Sequence, residues 1–301
     1  MPFTFHSHSG QFCRHAKGTL EGVVQEAIAK GMFVLGLSEH VPRSRVQDLY
    51  PEEADLTPDD LYEAFRTYVE EARRLQAKYE GQIKVLIGAE TEYITRDSLD
   101  EVKALRAKYG LDYLVGSLHH VGGMPMDFSP DGYEQIVAHY GGRRDEMFRQ
   151  YFDEQLVLLQ ELQPEIVGHF DLIRIFHPYA QGVEDPLLRE DIRALALRNI
   201  DYAISYGAVF EINSRAWKKG LRDAYPQRDL LEAILQRGGR ITISDDSHGE
   251  QDLCMHYGRL RRYLVEVGAS SLCYLDKDTA GEVTVRVLDD FAEHSFWSQW
   301  D

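Results

Sequence analysis

Two short motifs with ligand-type residues at alternate positions lie far apart in the chain. Phe5-His6-Ser7-His8 carries two imidazoles, and Asp246-Ser247-His248 carries a carboxylate and an imidazole at the same spacing. In an extended strand, residues i and i+2 leave the same face roughly 6.5 Å apart, so that one metal ion can contact both side chains. Either motif alone is a modest signal, but the two together indicate a metal site.

Further ligand-type side chains follow other apolar runs of the sequence. Imidazole nitrogen and carboxylate oxygen together suit zinc, manganese or iron, whereas copper or an iron–sulfur cluster would favour thiolate. An open catalytic ion takes about three or four protein ligands, so this set predicts two or three divalent ions rather than one. The predicted metal ligands are His6, His8, His15, His40, Glu90, His119, His169, Asp246 and His248.

Other residues of the same types are expected to have other roles. Cys13 is more typical of a small buried side chain than of a ligand. Glu92 lies two residues after Glu90 and is expected to orient ligands rather than to bind metal. The remaining histidines are expected to be solvated or packed, namely His120, His139, His177, His256 and His294.

Ligands spread this widely need a scaffold that gathers strand ends. Short apolar runs predict strands, and the intervening segments with a 3.6-residue periodicity predict helices. The predicted strands are 3–5, 33–37, 83–88, 113–118, 165–168, 208–212 and 241–244, and the predicted helices are 20–30, 61–79, 99–109, 147–162, 187–206 and 230–237. Ionisable residues, Glu211 among them, follow nearly every strand, which favours a closed parallel barrel because its strand ends share one face.

The chain is expected to form a single α/β barrel domain over residues 1–301. The sequence contains no internal repeat, low-complexity tract or linker that would separate two domains. Two further predicted strands, 271–275 and 283–288, indicate a small terminal β segment at about 270–290.

Composition and charge narrow the classes of partner. The 44% hydrophobic and 28% charged residues are typical of a globular protein. The net charge of −17 argues against nucleic acid, although a small anionic substrate is compatible with it because bound divalent cations reverse the potential locally. No apolar run reaches the roughly 18 residues that a membrane helix needs. The odd number of cysteines, 3, favours a reducing compartment, so that we expect no membrane partner and a cytoplasmic location, with the oligomeric state open.

Taken together, these motifs resemble those of the polymerase and histidinol phosphatase (PHP) family, and within it the histidinol-phosphatase branch. The resemblance covers nearly the whole chain, with one conservative departure at Glu39, where Asp is commoner. The matching motifs are His6-Ser7-His8 with His15, Gly18-Thr19-Leu20-Glu21, Ser38-Glu39-His40, Gly88-Ala89-Glu90, Gly116-Ser117-Leu118-His119, Gly168-His169-Phe170-Asp171-Leu172-Ile173-Arg174 and Asp246-Ser247-His248.

The resemblance implies a distorted seven-stranded (β/α)7 barrel with a trinuclear metal centre at the carboxyl ends of its strands. It also implies how the ligands are shared. His6, His8, Glu90 and Asp246 would hold one ion, Glu90 would bridge to a second ion bound by His119 and His169, and His15, His40 and His248 would hold the third.

The reaction implied by the resemblance is hydrolysis of L-histidinol phosphate to L-histidinol and phosphate in histidine biosynthesis. Glu90, Asp246 and His248 are the expected catalytic residues, because they would contact ions and water or pass a proton to the leaving alkoxide. Arg174 is the expected phosphate-binding residue, since a guanidinium offers two hydrogen bonds to phosphate oxygens. Lys218 is a weaker second candidate.

Three alternatives remain at this stage. The chain could be another PHP-type phosphoesterase acting on a different small phosphate monoester, or on nucleic-acid ends, although its acidic charge counts against the latter. It could be an inactive metal-binding scaffold, although no ligand is missing. It could be an amidohydrolase on a related barrel, but no lysine stands at a predicted strand end.

Overall fold

The computed structural model describes residues 2–300, in which short parallel strands alternate with helices along most of the chain. The strands and helices, in chain order, are β1 (Phe3–Thr4), β2 (Ser7–His8), α1 (Leu20–Ala29), β3 (Val34–Leu37), α2 (Pro58–Lys78), β4 (Lys84–Glu90), α3 (Arg96–Tyr109), β5 (Tyr113–Gly116), β6 (His120–Val121), β7 (Met124–Pro125), α4 (Pro130–His139), α5 (Arg144–Leu162), β8 (Ile166–Val167), α6 (Glu190–Tyr206), β9 (Val209–Asn213), α7 (Arg215–Lys218), α8 (Arg228–Gln236), β10 (Arg240–Ser244), β11 (Ser247–His248), α9 (Tyr257–Glu266), β12 (Ser271–Lys277) and β13 (Val283–Asp289).

Seven parallel strands form one sheet in the order β1-β3-β4-β5-β8-β9-β10, which curls into a nearly closed barrel. The two ends of this sheet meet at the carboxyl end of the barrel. There β2 continues β1, β11 continues β10, and the two extensions pair in parallel, with Ser7 opposite Ser247 and His8 opposite His248. The predicted (β/α)7 barrel is therefore confirmed, and the motifs His6-Ser7-His8 and Asp246-Ser247-His248 lie on neighbouring strands.

The barrel interior is held by a tyrosine that crosses from one strand to two others. Tyr113 is fully buried, and its hydroxyl donates to the carbonyl oxygens of Phe5, at 2.9 Å, and Leu37, at 3.1 Å. Gly36 leaves room for this ring, because a Cβ at that position would lie 2.3 Å from the Tyr113 hydroxyl oxygen. The contact fixes the backbone immediately before His6 and thereby positions the first ligand motif.

All of the predicted helices are present in the structure. The start of α2 shows how capping residues set a helix boundary. Thr57 caps α2, its hydroxyl accepting from the backbone N–H of Asp60, and Pro58 occupies the first turn. Three helices were not predicted, α4, α7 and α9, because they are short or rich in polar residues and present only a narrow apolar stripe. No helix within residues 2–300 is long and apolar enough to cross a membrane.

Near residues 270–290, where the sequence predicts a small terminal β segment, β12 and β13 form an antiparallel pair. It lies beside the barrel, where the ring of Tyr274 packs against those of Phe3 and Phe33, with centroids 5.4 and 4.9 Å away. These contacts are at the amino end of β1, on the side of the barrel opposite the histidine motifs. The assignment of residues 1–301 to a single domain stays a prediction.

Candidate metal centre

All the predicted metal ligands lie at the carboxyl end of the barrel. A cavity of about 300 Å³ opens above them, and its wall includes every one of them except His6 and His8, which are buried. By position, His6 and His8 belong to the β1–β2 segment, His15 to the loop that follows, His40 follows β3, Glu90 ends β4, His119 follows β5, His169 follows β8, Asp246 follows β10 and His248 lies in β11.

Glu90 stands at the centre of the cluster, and both of its carboxylate oxygens face imidazole nitrogens. The contacts are Oε1 to His6 Nε2 at 3.0 Å, Oε1 to His119 Nε2 and His169 Nε2 at 3.1 Å each, Oε2 to His40 Nδ1 at 3.1 Å and Oε2 to His8 Nε2 at 3.3 Å. A carboxylate that contacts ligands on two sides in this way is suited to bridge two ions.

Asp246 provides the second central carboxylate. Its Oδ1 lies 3.6 Å from His6 Nε2, 3.7 Å from His8 Nε2 and 3.5 Å from His248 Nδ1. The residue has a φ of 47°, in the left-handed region that non-glycine residues rarely adopt and that is often found at functional sites. This conformation lets β10 end and β11 resume parallel pairing with β2 while the carboxylate faces the cluster.

A further group of rings lies towards the outer part of the cluster. The His15 ring centroid is 5.5 Å from that of His40 and 5.0 Å from that of His248. Cys13 joins this group, because its Sγ is 3.1 Å from His15 Nε2 and it could supply a ligand atom together with His15 and His40. The sequence predicts a packing role for Cys13, and this side chain is indeed buried but also lies next to two predicted ligands.

Four of the histidines have an acceptor at Nδ1, which is a carboxylate outside the cluster for three of them and a backbone oxygen for the fourth. His6 Nδ1 lies 3.0 Å from Glu211 Oε1, His15 Nδ1 lies 3.1 Å from Glu52 Oε1, His119 Nδ1 lies 3.3 Å from Glu92 Oε2, and His248 Nδ1 lies 2.9 Å from the backbone oxygen of Asp246. Each acceptor requires a proton on Nδ1. The Nε2 of each ring is then left with a lone pair for a metal.

The cluster fits metal ions because it contains more acceptors than donors. His6 Nε2, both nitrogens of His8 and both nitrogens of His40 are buried without a hydrogen-bond partner in residues 2–300, although carboxylate oxygens lie close by. Burial lowers the pKa of His40 to about 4, whereas the nearby carboxylates of Glu39 and Glu90 outweigh burial and raise the pKa of His8 to about 9. Imidazoles and carboxylates gathered at these distances are suited to hold cations between them. Overlapping groups such as His6–His8–Asp246 and His6–Glu90–His169 place their ligand atoms within 4.8 Å of one another.

Several residues that support the predicted ligands are not predicted to do so from the sequence. Glu211 and Asn213, both in β9, lie behind the cluster, where the Asn213 amide donates to Glu211 Oε1 at 2.7 Å and to Asp246 Oδ2 at 3.3 Å. Glu39, the departure from the usual Asp, accepts from the Ser9 backbone and hydroxyl at 2.8 and 2.7 Å. Its other oxygen lies 3.5 Å from His8 Nδ1, on the side of the ring away from Glu90. The only signal for Glu211 was its place at a strand end.

Arg174 does not lie where a phosphate-binding residue is needed. It is 2% exposed and lies outside the cavity wall. Its guanidinium contacts three carboxylates, with distances of 3.1 Å to Asp171, 2.8 Å to Asp185 and 2.7 Å to Asp229. These ion pairs engage both terminal nitrogens of the guanidinium. The contacts favour a structural role for Arg174, and its role in phosphate binding stays a prediction.

Two other cations line the cavity, and Lys218 is not one of them. Lys218 lies in α7, is half exposed and pairs with Asp252 at 2.7 Å. Arg215, at the start of α7, lines the cavity while donating to the backbone oxygen of Asp246 at 3.0 Å. Lys219, just after α7, also lines the cavity, and no carboxylate within residues 2–300 pairs with it. The geometry favours Arg215 and Lys219 over Arg174 and Lys218.

Tyr225 contributes a hydroxyl donor to the same wall. It lines the cavity with its ring centroid 6.3 Å from that of His169, and its buried hydroxyl has no hydrogen-bond partner in the described part of the chain. Burial, reinforced by the charges of Asp171 and Asp127, raises the pKa of Tyr225 well above its ordinary value. The phenol therefore keeps its proton and can donate it in a hydrogen bond.

Comparison with known proteins agrees with this geometry. The family model of the PHP domain matches residues 4–215. A protein of Schizosaccharomyces pombe named a probable histidinol-phosphatase is 46% identical over 300 residues, which cover 100% of this chain and 97% of the relative. The histidinol-phosphatase of Saccharomyces cerevisiae is 28% identical, with 97% of this chain and 98% of the relative covered.

Two solved structures share the fold at low sequence identity. A protein of Listeria monocytogenes superposes with a TM-score of 0.72 at 23% identity and covers 86% of this chain and 99% of its own. The histidinol phosphate phosphatase of Lactococcus lactis, solved with zinc, L-histidinol and phosphate, superposes with a TM-score of 0.66 at 20% identity, covering 94% of this chain and 98% of its own. The PHP family model matches most of the chain, and the relative from Schizosaccharomyces pombe matches all of it. This chain therefore belongs to the PHP family.

Proposed function

We propose that this protein is a metal-dependent phosphatase that hydrolyses L-histidinol phosphate to L-histidinol and phosphate. The observation that carries the proposal is the 46% identity, over the whole chain, with a relative named a probable histidinol-phosphatase. The histidine and carboxylate cluster beneath an open cavity supports it, because phosphate monoesters are among the substrates that hydrolyse most slowly without a catalyst.

We assign the metal ligands to three ion positions, as the family resemblance implies. The short contacts of both Glu90 oxygens support a bridging role for this carboxylate between the first two positions. The proximity of the His15, His40 and His248 rings supports the third position. Zinc, iron and manganese all suit this mixed nitrogen and oxygen set.

The protein's own cations complete the phosphate site. When bound, the ions neutralise phosphoryl oxygens and lower the pKa of water, which turns it into a nucleophile near neutral pH. Arg215 and Lys219 stand in the cavity wall and can hold the phosphoryl oxygens that face away from the cluster. The free hydroxyl of Tyr225 adds a neutral donor at the same wall. These three groups orient the ester.

The leaving alkoxide needs a proton, which the attacking water loses and a carboxylate of the cavity wall can carry across. Asp246 and His248 both line the cavity, and the His248 Nδ1–H donates to the Asp246 backbone oxygen. This hydrogen bond fixes the His248 ring and leaves its Nε2 to a metal ion. We assign the proton transfer to Asp246, whose carboxylate would take the proton that the attacking water loses and pass it to the leaving alkoxide, while His248, 3.5 Å from this carboxylate, helps to position it.

The proposed function is tested by phosphate release from L-histidinol phosphate, p-nitrophenyl phosphate and the diester bis(p-nitrophenyl) phosphate. The protein is loaded separately with zinc, iron or manganese and assayed with each ester. We expect kcat/KM to be highest for L-histidinol phosphate and the diester to be hydrolysed poorly. A higher kcat/KM for the diester, or for the p-nitrophenyl monoester, would contradict the proposal.

A further inference from the structure

The cavity above the cluster is lined by groups of opposite character on its two sides. The segment between β9 and β10 supplies Arg215 and Lys219. The loop after β3 supplies Tyr50, and the segment between β5 and β8 supplies Asp127 and Phe128, just after β7. In the strand order, β8 separates β9 from β5, so the two sets stand on different arcs of the barrel rim. One arc is basic, and the other is acidic and aromatic.

Asp127 is the carboxylate on this second arc that remains available. It is half-buried in the cavity wall, and within residues 2–300 it has neither a hydrogen bond nor an ion pair. Glu52, the other acidic side chain of this arc, is engaged, because it accepts from His15 Nδ1 at 3.1 Å. A carboxylate that faces a cavity without a partner is suited to pair with a cation brought by a ligand.

The aromatic part of this arc connects Asp127 with the predicted ligands. The ring centroid of Tyr50 lies 6.2 Å from that of His15 and 6.4 Å from that of Phe128, to which it is nearly parallel. Tyr50 is fixed, because its hydroxyl donates to Glu92 at 3.2 Å and Arg43 stacks on its ring. Phe128 is not covered and has 51% of its surface exposed, which leaves an aromatic face open beside Asp127.

We infer that Asp127 binds the ammonium group of the substrate and that Phe128 packs against its imidazole, so that this wall selects phosphate monoesters that carry a cationic amino group. The inference rests on the proposed function. L-Histidinol phosphate has an anionic phosphate at one end and a primary ammonium and an imidazole at the other. The basic arc and the acidic, aromatic arc match these two ends, and the match sets the orientation of the ester over the cluster.

The test compares two esters in the metal-loaded Asp127→Asn variant. The change keeps the shape of the side chain and removes its charge. We expect kcat/KM for L-histidinol phosphate to fall about tenfold or more, mostly through KM, since a charge-assisted hydrogen bond is lost. Hydrolysis of p-nitrophenyl phosphate, which has no cationic group, should change by less than about threefold. The metal content should equal that of the wild type.

Asp131→Asn is the matched control. Asp131 lies four residues further along, in the exposed first turn of α4, and is not part of the cavity wall. The Asp131→Asn substitution also removes one negative charge from this segment. It should leave the ratio of kcat/KM for L-histidinol phosphate to kcat/KM for p-nitrophenyl phosphate unchanged. An equal loss for both esters in Asp127→Asn, or an unchanged ratio, would overturn the inference.

Direct binding of L-histidinol separates this inference from the proposed function. Calorimetric titration of L-histidinol into the metal-loaded protein needs no turnover. We expect its affinity to weaken about tenfold in Asp127→Asn and to stay unchanged in Asp131→Asn. If the wild type hydrolyses L-histidinol phosphate no better than the p-nitrophenyl ester, the proposed function fails. If L-histidinol binds Asp127→Asn as tightly as the wild type, the role of Asp127 fails.

Discussion

The Glu211 carboxylate lies 3.0 Å from Nδ1 of His6, on the side of the ring away from Glu90. Because Glu211 can only accept, it holds the proton on Nδ1 and directs the Nε2 lone pair towards the centre of the cluster. Its second oxygen accepts the backbone N–H of His169 at 3.1 Å. One buried carboxylate thus sets both the tautomer of one predicted ligand and the position of another.

Glu211→Gln should weaken metal binding without unfolding the protein. The amide is of equal size but neutral, so it stabilises the His6 tautomer less, and we expect affinity for the most loosely held ion to fall about 10- to 100-fold. Competition with a fluorescent chelator measures this affinity. Glu70→Gln, on the exposed face of α2, is the control and should bind metal as the wild type does. Equal affinities in all three proteins would remove Glu211 from the site.

Glu90→Gln should abolish turnover and reduce the number of bound ions. Replacing the central carboxylate leaves its histidine neighbours without the charge that can bridge two ions. We expect kcat to fall at least about a hundredfold. Metal per chain from elemental analysis should drop, with the far-UV circular dichroism unchanged. Retention of a tenth of kcat together with full metal content would exclude Glu90 as a bridging ligand.

The sequence predicts the positions of the candidate metal ligands better than it predicts which cations line the cavity. Most of the predicted metal ligands lie at or just after the end of a strand, so the predicted strands place His40 and His169 on one rim. Arg174 could not be placed this way, because its direction depends on Asp229, 55 residues later on α8. Lys218 and Lys219 differ by one position at the end of a four-residue helix, and that position alone decides which one faces the cavity. Contacts between residues far apart in the chain leave no pattern in the local sequence from which they could be predicted.

Arg174→Ala should destabilise the fold rather than remove a phosphate contact. The substitution leaves Asp171 and Asp185 with buried, uncompensated charges, so the free energy of unfolding should fall by roughly 3–5 kcal/mol. Chemical denaturation measures it. Arg193→Ala removes a more exposed partner of Asp229 and should cost less than about 1 kcal/mol. A stable Arg174→Ala protein with a raised KM for phosphate esters would restore the role expected from the sequence.

Lys219→Ala should weaken phosphate ester binding more than Lys218→Ala does. Lys219 faces the cavity without a carboxylate partner, whereas Lys218 is held by Asp252. We expect KM to rise about tenfold for Lys219→Ala at low ionic strength, and less at high salt, because an exposed point charge is screened. Steady-state kinetics at two salt concentrations measure both effects. Equal KM values for the two variants would show that neither ammonium selects the phosphate.

Tyr225→Phe should lower activity while leaving stability almost unchanged. The Tyr225 hydroxyl has no partner in residues 2–300, so removing it costs the folded protein nothing, but it removes a donor to the bound phosphate. We expect kcat/KM for L-histidinol phosphate to fall roughly 10- to 100-fold, as for a hydrogen bond to a charged group.

Tyr133→Phe provides the opposite case. Its buried hydroxyl donates to the Ile173 carbonyl at 2.9 Å, away from the cavity wall, so its loss should cost about 1 kcal/mol of stability and leave kcat/KM unchanged. Chemical denaturation and steady-state kinetics on both variants separate the two roles. A Tyr225→Phe protein with wild-type kinetics would mean that the phosphate is held by the metal ions and the cations of the wall alone.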